Sequence, residues 1–246
     1  WSYFREELQR DDNKAIALFS STPLLYEPPA DLAREAIDAQ TKILSILTSD
    51  SNNQLDLQAN RYRAAELAIM TRDLAKADSL AALIHADSSK AAQSQTLLLN
   101  AKRALISGRY SDALELADEA FDHRQRARPG EYQDWMFHAR WLRIEALYGL
   151  ARYSEVVRWV DVLGDGDSFG TKTGTDMWLM PRYWAAQSFM RGKSNMALEE
   201  YDEAEKDFTR FVELYREADE EYQHLVTDAR EELDRIAELR TREPGS

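Results

Sequence analysis

Any chemistry in this 246-residue chain has to come from side chains other than cysteine, because it has none. Thiolate metal ligands, cysteine nucleophiles and disulfides are therefore excluded. The four histidines are His85, His123, His138 and His224, and no two are close enough for an H-E-x-x-H or similar local ligand pair. A metal site built on them would have to be assembled by folding. The stretch Gly164 to Asp176 has the composition of a calcium loop: with Asp165 at position 1, Asp167 falls at 3, Gly170 at 6 and Asp176 at 12. Against that reading, Phe169 occupies position 5, where an oxygen ligand is needed. Position 12 is Asp rather than a bidentate Glu, and Lys172 places a positive charge inside the loop. The expectation is an inter-helix connection, with calcium binding the alternative. Lys172 lacks the preceding glycine of a phosphate loop, no serine has a lysine three residues later, and G-x-S-x-G, H-R-D and D-F-G are all missing. The acid pairs Glu199-Glu200 and Glu220-Glu221 read as solvated helix faces. No catalytic residue, metal or cofactor is expected.

The composition favours helices. Only 9 glycines and 6 prolines are present, too few for a sheet protein that turns every few residues. Hydrophobic residues at 44% and charged residues at 30% indicate a folded chain rather than a disordered one. The net charge of -13 repels phosphate backbones and anionic lipid, so nucleic acid is not an expected partner. The short, interrupted basic cluster Arg124 to Arg128 does not reverse that expectation. No stretch has the length of a membrane span or the pattern of a secretory leader, so no direct membrane contact is expected. The chain opens at Trp1 and is expected to be a piece of a longer protein. Its compartment and oligomeric state are left open.

The elements are legible from apolar spacing. Tyr110, Ala113, Leu114, Ala117, Ala120 and Phe121 trace one stripe of a 3.6-residue helix. A preceding stripe of Leu97, Ala101, Ala104 and Leu105 closes at Gly108, a residue suited to the left-handed conformation that ends a helix. The same template fits from Leu74 (Ala77, Ala81, Ile84), from Tyr153 (Val156, Val157, Val160, Leu163) and from Tyr201 (Ala204, Phe208, Phe211, Val212). The anchors 74, 110, 153 and 201 are spaced by 36, 43 and 48 residues, so the later units need longer connections. Those connections fall at Arg126 to Glu131 and Gly164 to Asp176, while Gly192 is expected to interrupt the fourth unit. Residues 1–52 read as atypical amino-terminal helices, with breaker Pro28-Pro29, and 53–218 as the helix pairs. Residues 219–246 hold a polar-backed capping helix with the stripe Tyr222, Leu225, Val226, Ala229, Leu233 and Ile236. Five of the six tryptophans crowd between Trp135 and Trp184. Trp135 and Trp159 are read as core, and the others remain open to an interface role.

Gly108-Arg109-Tyr110-Ser111-Asp112-Ala113-Leu114 followed by Ala120 resembles the tetratricopeptide motif, and Tyr153 to Val156 and Tyr201 to Ala204 echo it. Ala151 stands where that motif has glycine. The resemblance implies an all-α, right-handed α-α superhelix whose first helices line a concave groove for a peptide or partner protein. Carried over by register, the groove positions are Tyr62 and Glu66, then Gln95 and Lys102, then His138, Trp141, Glu145 and Tyr148, then Trp184 and Gln187. All of them are expected to be exposed. Phe211 through Arg230 is similar to the end of tetratricopeptide arrays in bacterial signalling proteins, where the array follows a serine/threonine kinase or a DNA-binding activator domain. Two alternatives stay open: a structural or dimerisation spacer, and a metal-dependent activity on the loop at 164–176.

Overall fold

The computed structural model describes residues 30–49, 54–86, 89–125, 133–163, 176–218 and 220–242. Among them are ten α-helices and no strand, so the chain is all-α as its composition indicated. In order they are α1 (Ala30–Ser49), α2 (Gln54–Met70), α3 (Leu74–His85), α4 (Lys90–Ile106) and α5 (Tyr110–Gln125). Then come α6 (Gln133–Gly149), α7 (Tyr153–Leu163), α8 (Asp176–Ala197), α9 (Tyr201–Leu214) and α10 (Gln223–Arg242), the last preceded by a 3-10 turn at Glu220–Tyr222. The expected helix from Trp1 to Phe19, the Pro28-Pro29 break and the connections at 126–131 and 164–175 lie outside the described residues.

Four of the inter-helix turns are the same structure. Each first helix ends on a residue in the left-handed region, with φ of 61° at Arg72, 70° at Gly108, 55° at Ala151 and 62° at Glu199. The next N–H reaches back five residues: Asp73 donates to the Ala68 carbonyl at 2.8 Å, Arg109 to Ala104 at 2.9 Å, Arg152 to Leu147 at 3.0 Å and Glu200 to Asn195 at 2.9 Å. The left-handed residue itself donates to the carbonyl three back, completing the Schellman pattern that satisfies otherwise orphaned helix-end carbonyls. One residue further on, the second helix begins at Leu74, Tyr110, Tyr153 or Tyr201, the four anchors read from the sequence. Asp73 caps α3 by accepting from the Lys76 N–H at 3.1 Å. At the corresponding positions Arg109 pairs with Asp112 and Arg152 with Glu155, each acid lying in the first turn of its helix.

Because the turns are alike, the buried positions repeat as well. Three residues after each anchor stand Ala77, Ala113, Val156 and Ala204, and ten after stand Ile84, Ala120, Leu163 and Phe211, all no more than 3% exposed. On the first helices the positions nine and six before the anchor carry Ala65 and Ala68, then Ala101 and Ala104, all buried. Side chains this small let adjacent backbones approach closely.

The chain forms two compact units, one ending at Ala146 and the other beginning at Leu147. In the first, α1 packs on α2, α2 on both α3 and α4, and α4 on α3 and α5. Gln40 ties α1 to α2 by donating from Nε2 to the Asn60 carbonyl at 3.2 Å. In the second, α8 packs on α7 and α9, and α9 packs on α10. Here α8 runs unbroken through Gly192, contrary to the expected interruption. A Cβ at Gly192 would lie 3.0 Å from the Phe208 ring, so the glycine is a point of close helix approach and not a helix end. The terminal stripe behaves as expected, with Leu225, Val226, Ala229 and Ile236 buried. An ion pair recurs in both units: Arg143 on α6 reaches Asp118 on α5, and Arg191 on α8 reaches Asp161 on α7. Each arginine stands ten residues before its own anchor and each aspartate eight after the preceding one.

A non-glycine residue in the left-handed region carries a conformational cost of about 1–2 kcal/mol, which is missing at Gly108. Ala151→Gly should therefore stabilise the fold by about 1 kcal/mol, and Gly108→Ala, which meets no atom within 4 Å, should destabilise it by a similar amount. Urea melts with unchanged m-values would show this as opposite shifts of midpoint. A lower midpoint for Ala151→Gly would contradict it.

Candidate functional site

The first helices show a second regularity. Eight residues before each anchor stand Glu66, Lys102, Glu145 and Lys193, charged in every case and alternating in sign. Glu66 and Lys102 are 4% and 5% exposed, and Glu145 and Lys193 are partly buried. Charge at such depth is stable only when it is paired and hydrogen-bonded.

In the first unit the pairing is direct. Lys102 Nζ on α4 lies 3.4 Å from Glu66 Oε1 on α2, and the Tyr62 hydroxyl, one turn earlier on α2, donates to the same oxygen at 3.1 Å. His138, from α6, comes within electrostatic reach of both charges. Burial pushes its imidazole below the usual histidine value, the Glu66 carboxylate opposes that shift, and Lys102 adds to it. Its Nε2 is buried without a hydrogen-bond partner, as is the Oε1 of Gln95 on α4, itself 3% exposed. Gln95 and His138 each stand fifteen residues before their anchor, so they occupy equivalent places on successive first helices.

The second unit repeats the theme with different residues. Lys193 Nζ on α8 pairs with Glu232 Oε1 on α10 at 2.7 Å and lies 5.7 Å from the centre of the Phe189 ring. The Tyr148 ring meets Tyr153 edge-on at 5.8 Å, and burial, then Tyr153 and Glu232, raise its hydroxyl above the ordinary value. Further round α8, Arg191 binds the buried Asp207 carboxylate through Nε and Nη2, and Asn195 Nδ2 donates to it at 3.1 Å. Burial works against the Arg191 charge, but the Asp207 and Asp161 carboxylates outweigh it and raise its pKa. This clamp holds α8 against α7 and α9.

The expected groove residues are brought together in part, and their exposure is corrected. Tyr62, Glu66, Gln95, Lys102, Trp141 and Gln187 are all buried, none more than 5% exposed, and His138, Glu145 and Tyr148 are partly buried. The fourth-unit register is also corrected: counted from Tyr201, the positions equivalent to Tyr62 and Glu66 are Phe189 and Lys193, not Trp184 and Gln187. The same count, carried through Gly192 instead of stopping there, finds both. The Trp184 side chain and the loop at 164–175 lie outside the described residues. Among the described residues no three His, Asp or Glu side chains converge to hold a metal ion, and no helix is long and apolar enough to cross a membrane. No protein-family model, curated protein or solved structure matches the chain.

Removing one member of a buried ion pair strands the other. Lys102→Met is expected to cost about 3–5 kcal/mol, with most of that recovered in the double variant Glu66→Gln, Lys102→Met. A melt in which the double variant is no more stable than the single one would count against a buried pair. His138 supplies a pH dependence whose sign follows from its lowered pKa. Its folded form resists protonation while the unfolded chain takes up a proton near pH 6.5, so stability is complete above that value and declines as the pH falls below it. His138→Gln should flatten the fall of Tm between pH 7.5 and 5.5, and an unchanged slope would remove His138 as its source.

Proposed function

We propose that this chain is a non-catalytic interaction module, tetratricopeptide-like in construction, that holds a peptide or partner protein along the face made by its first helices. The observation that carries this reading is the fourfold repetition of equivalent first-helix positions, above all Glu66, Lys102, Glu145 and Lys193. Within the first unit, a charged row of Glu66, Lys102 and Glu145 beside an apolar or aromatic row of Tyr62, Leu98 and Trp141 suits the capture of an extended or helical segment. The identical Schellman turns and the anchor spacing of 36 residues in the best-preserved interval support the tetratricopeptide likeness. The resemblance of Phe211 to Arg230 to the ends of arrays in bacterial signalling proteins supports a place in a larger protein of that kind.

The test is selection of random twelve-residue peptides against the immobilised full chain, followed by solution affinities for the winners. Glu145→Lys and Lys193→Glu, which reverse the two partly buried inner charges, should each weaken binding tenfold or more. Lys206→Ala, on the exposed side of α9, should leave it unchanged. If no peptide is selected and the chain sediments as a dimer, it is a spacer and not a receptor.

A further inference from the structure

The packed first unit has room for a neutral His138 and none for a charged one. Its Nε2 is buried without a hydrogen-bond partner. Both ring nitrogens carry protons in the imidazolium, so protonation leaves a buried N–H with no acceptor whichever tautomer the neutral ring holds. The charged and titratable groups set around it offer no remedy. From α2 comes the Glu66 carboxylate, which already accepts from the Tyr62 hydroxyl and pairs with Lys102 of α4. Turning to His138, that carboxylate would strand the buried Lys102 ammonium, and staying with Lys102 it would strand the imidazolium. On α6 itself, Arg140 lies over the Phe121 ring of α5 and Arg143 is held by Asp118 of α5. Two cations would thus share one carboxylate.

We propose that His138 is an acid-sensitive latch: on taking up a proton it makes the first unit open around α6, while the second unit stays folded. The two units have separate cores, and the single histidine of the second, His224, is exposed. Opening uncovers Ala139, Leu142 and Ala146, the buried apolar residues of α6 in the first unit. Acid therefore converts a closed apolar face into an accessible one. The latch does not depend on what the chain binds. Its size follows from linkage. An ordinary histidine takes up its proton near pH 6.5 and the packed one resists it, so the closed form is at full strength above that value. One pH unit below it, the opening equilibrium is favoured about tenfold.

The experiment is hydrogen exchange of the full chain, followed by mass spectrometry at pH 7.5 and 5.5 with exchange times scaled for the intrinsic effect of pH. Protection over residues 138–146 and over α2 and α4 should fall about tenfold at pH 5.5. In α9 and α10 it should change less than twofold. His138→Gln, which takes up no proton, should abolish the fall, and His85→Gln, at an exposed position, should leave it intact. The parent protein gives a second readout that needs no variant: the His138 imidazole resonance should titrate only together with the loss of protection. A His138 ring that titrates near pH 6.5 while the first unit keeps its protection would overturn the latch. So would equal loss in both units, unchanged protection at pH 5.5, or a fall of the same size in His138→Gln.

Discussion

The turn that ends each first helix in a left-handed residue fixes the phase of the helix that follows. With a backbone bond spanning five residues and the next helix starting immediately after its donor, there is no slack in which the second helix could rotate. Its first turn therefore presents the third residue inward each time, whether that residue is Ala77, Ala113, Val156 or Ala204. The alanines of the first helices, the ion pairs between helices and the alternating inner charges all inherit their positions from this one junction. Where the backbone conformation is unfavourable, as at Arg72, Ala151 and Glu199, the packing on either side holds the residue in place.

Much of this was legible in the sequence because it depends on local periodicity. The anchors at 74, 110, 153 and 201 follow from apolar residues recurring every three or four positions, and Gly108 marks its own turn. The turns at Arg72 and Glu199 carry no such mark, since an arginine and a glutamate enter the left-handed region under tertiary constraint and not by preference. The burial of the inner face was also illegible from one pair at a time. Tyr62, Glu66 and Lys102 look like solvated positions on an isolated hairpin, and in the folded chain they are buried. Gly192 misled for a related reason. A glycine in a helical pattern signals a break when read locally, whereas here it admits the Phe208 ring.

The polar interior divides the labour between the two units. In the second unit Arg191, Asn195 and Asp207 form one hydrogen-bonded cluster, and Lys193 pairs with Glu232 at 2.7 Å. In the first the pairing is looser, a 3.4 Å ion pair flanked by an imidazole whose pKa burial lowers. A well-satisfied network favours rigidity, and an incompletely satisfied one leaves polar capacity in reserve. The candidate site falls in the unit with that reserve.

The alternation of Glu66, Lys102, Glu145 and Lys193 has a consequence for how the chain finds its own order. Repeated helix pairs with interchangeable faces are open to slipped pairing, in which one pair docks in the place of its neighbour and buries nearly the same apolar area. Hydrophobic contact alone distinguishes such arrangements poorly. In the first unit a slip that brought the next pair's Glu145 to the place of Lys102 would set glutamate against Glu66 at a depth where like charges are strongly penalised. The Glu66–Lys102 pair therefore works as a parity check on which helix pair docks beside α2, where shape alone would accept more than one.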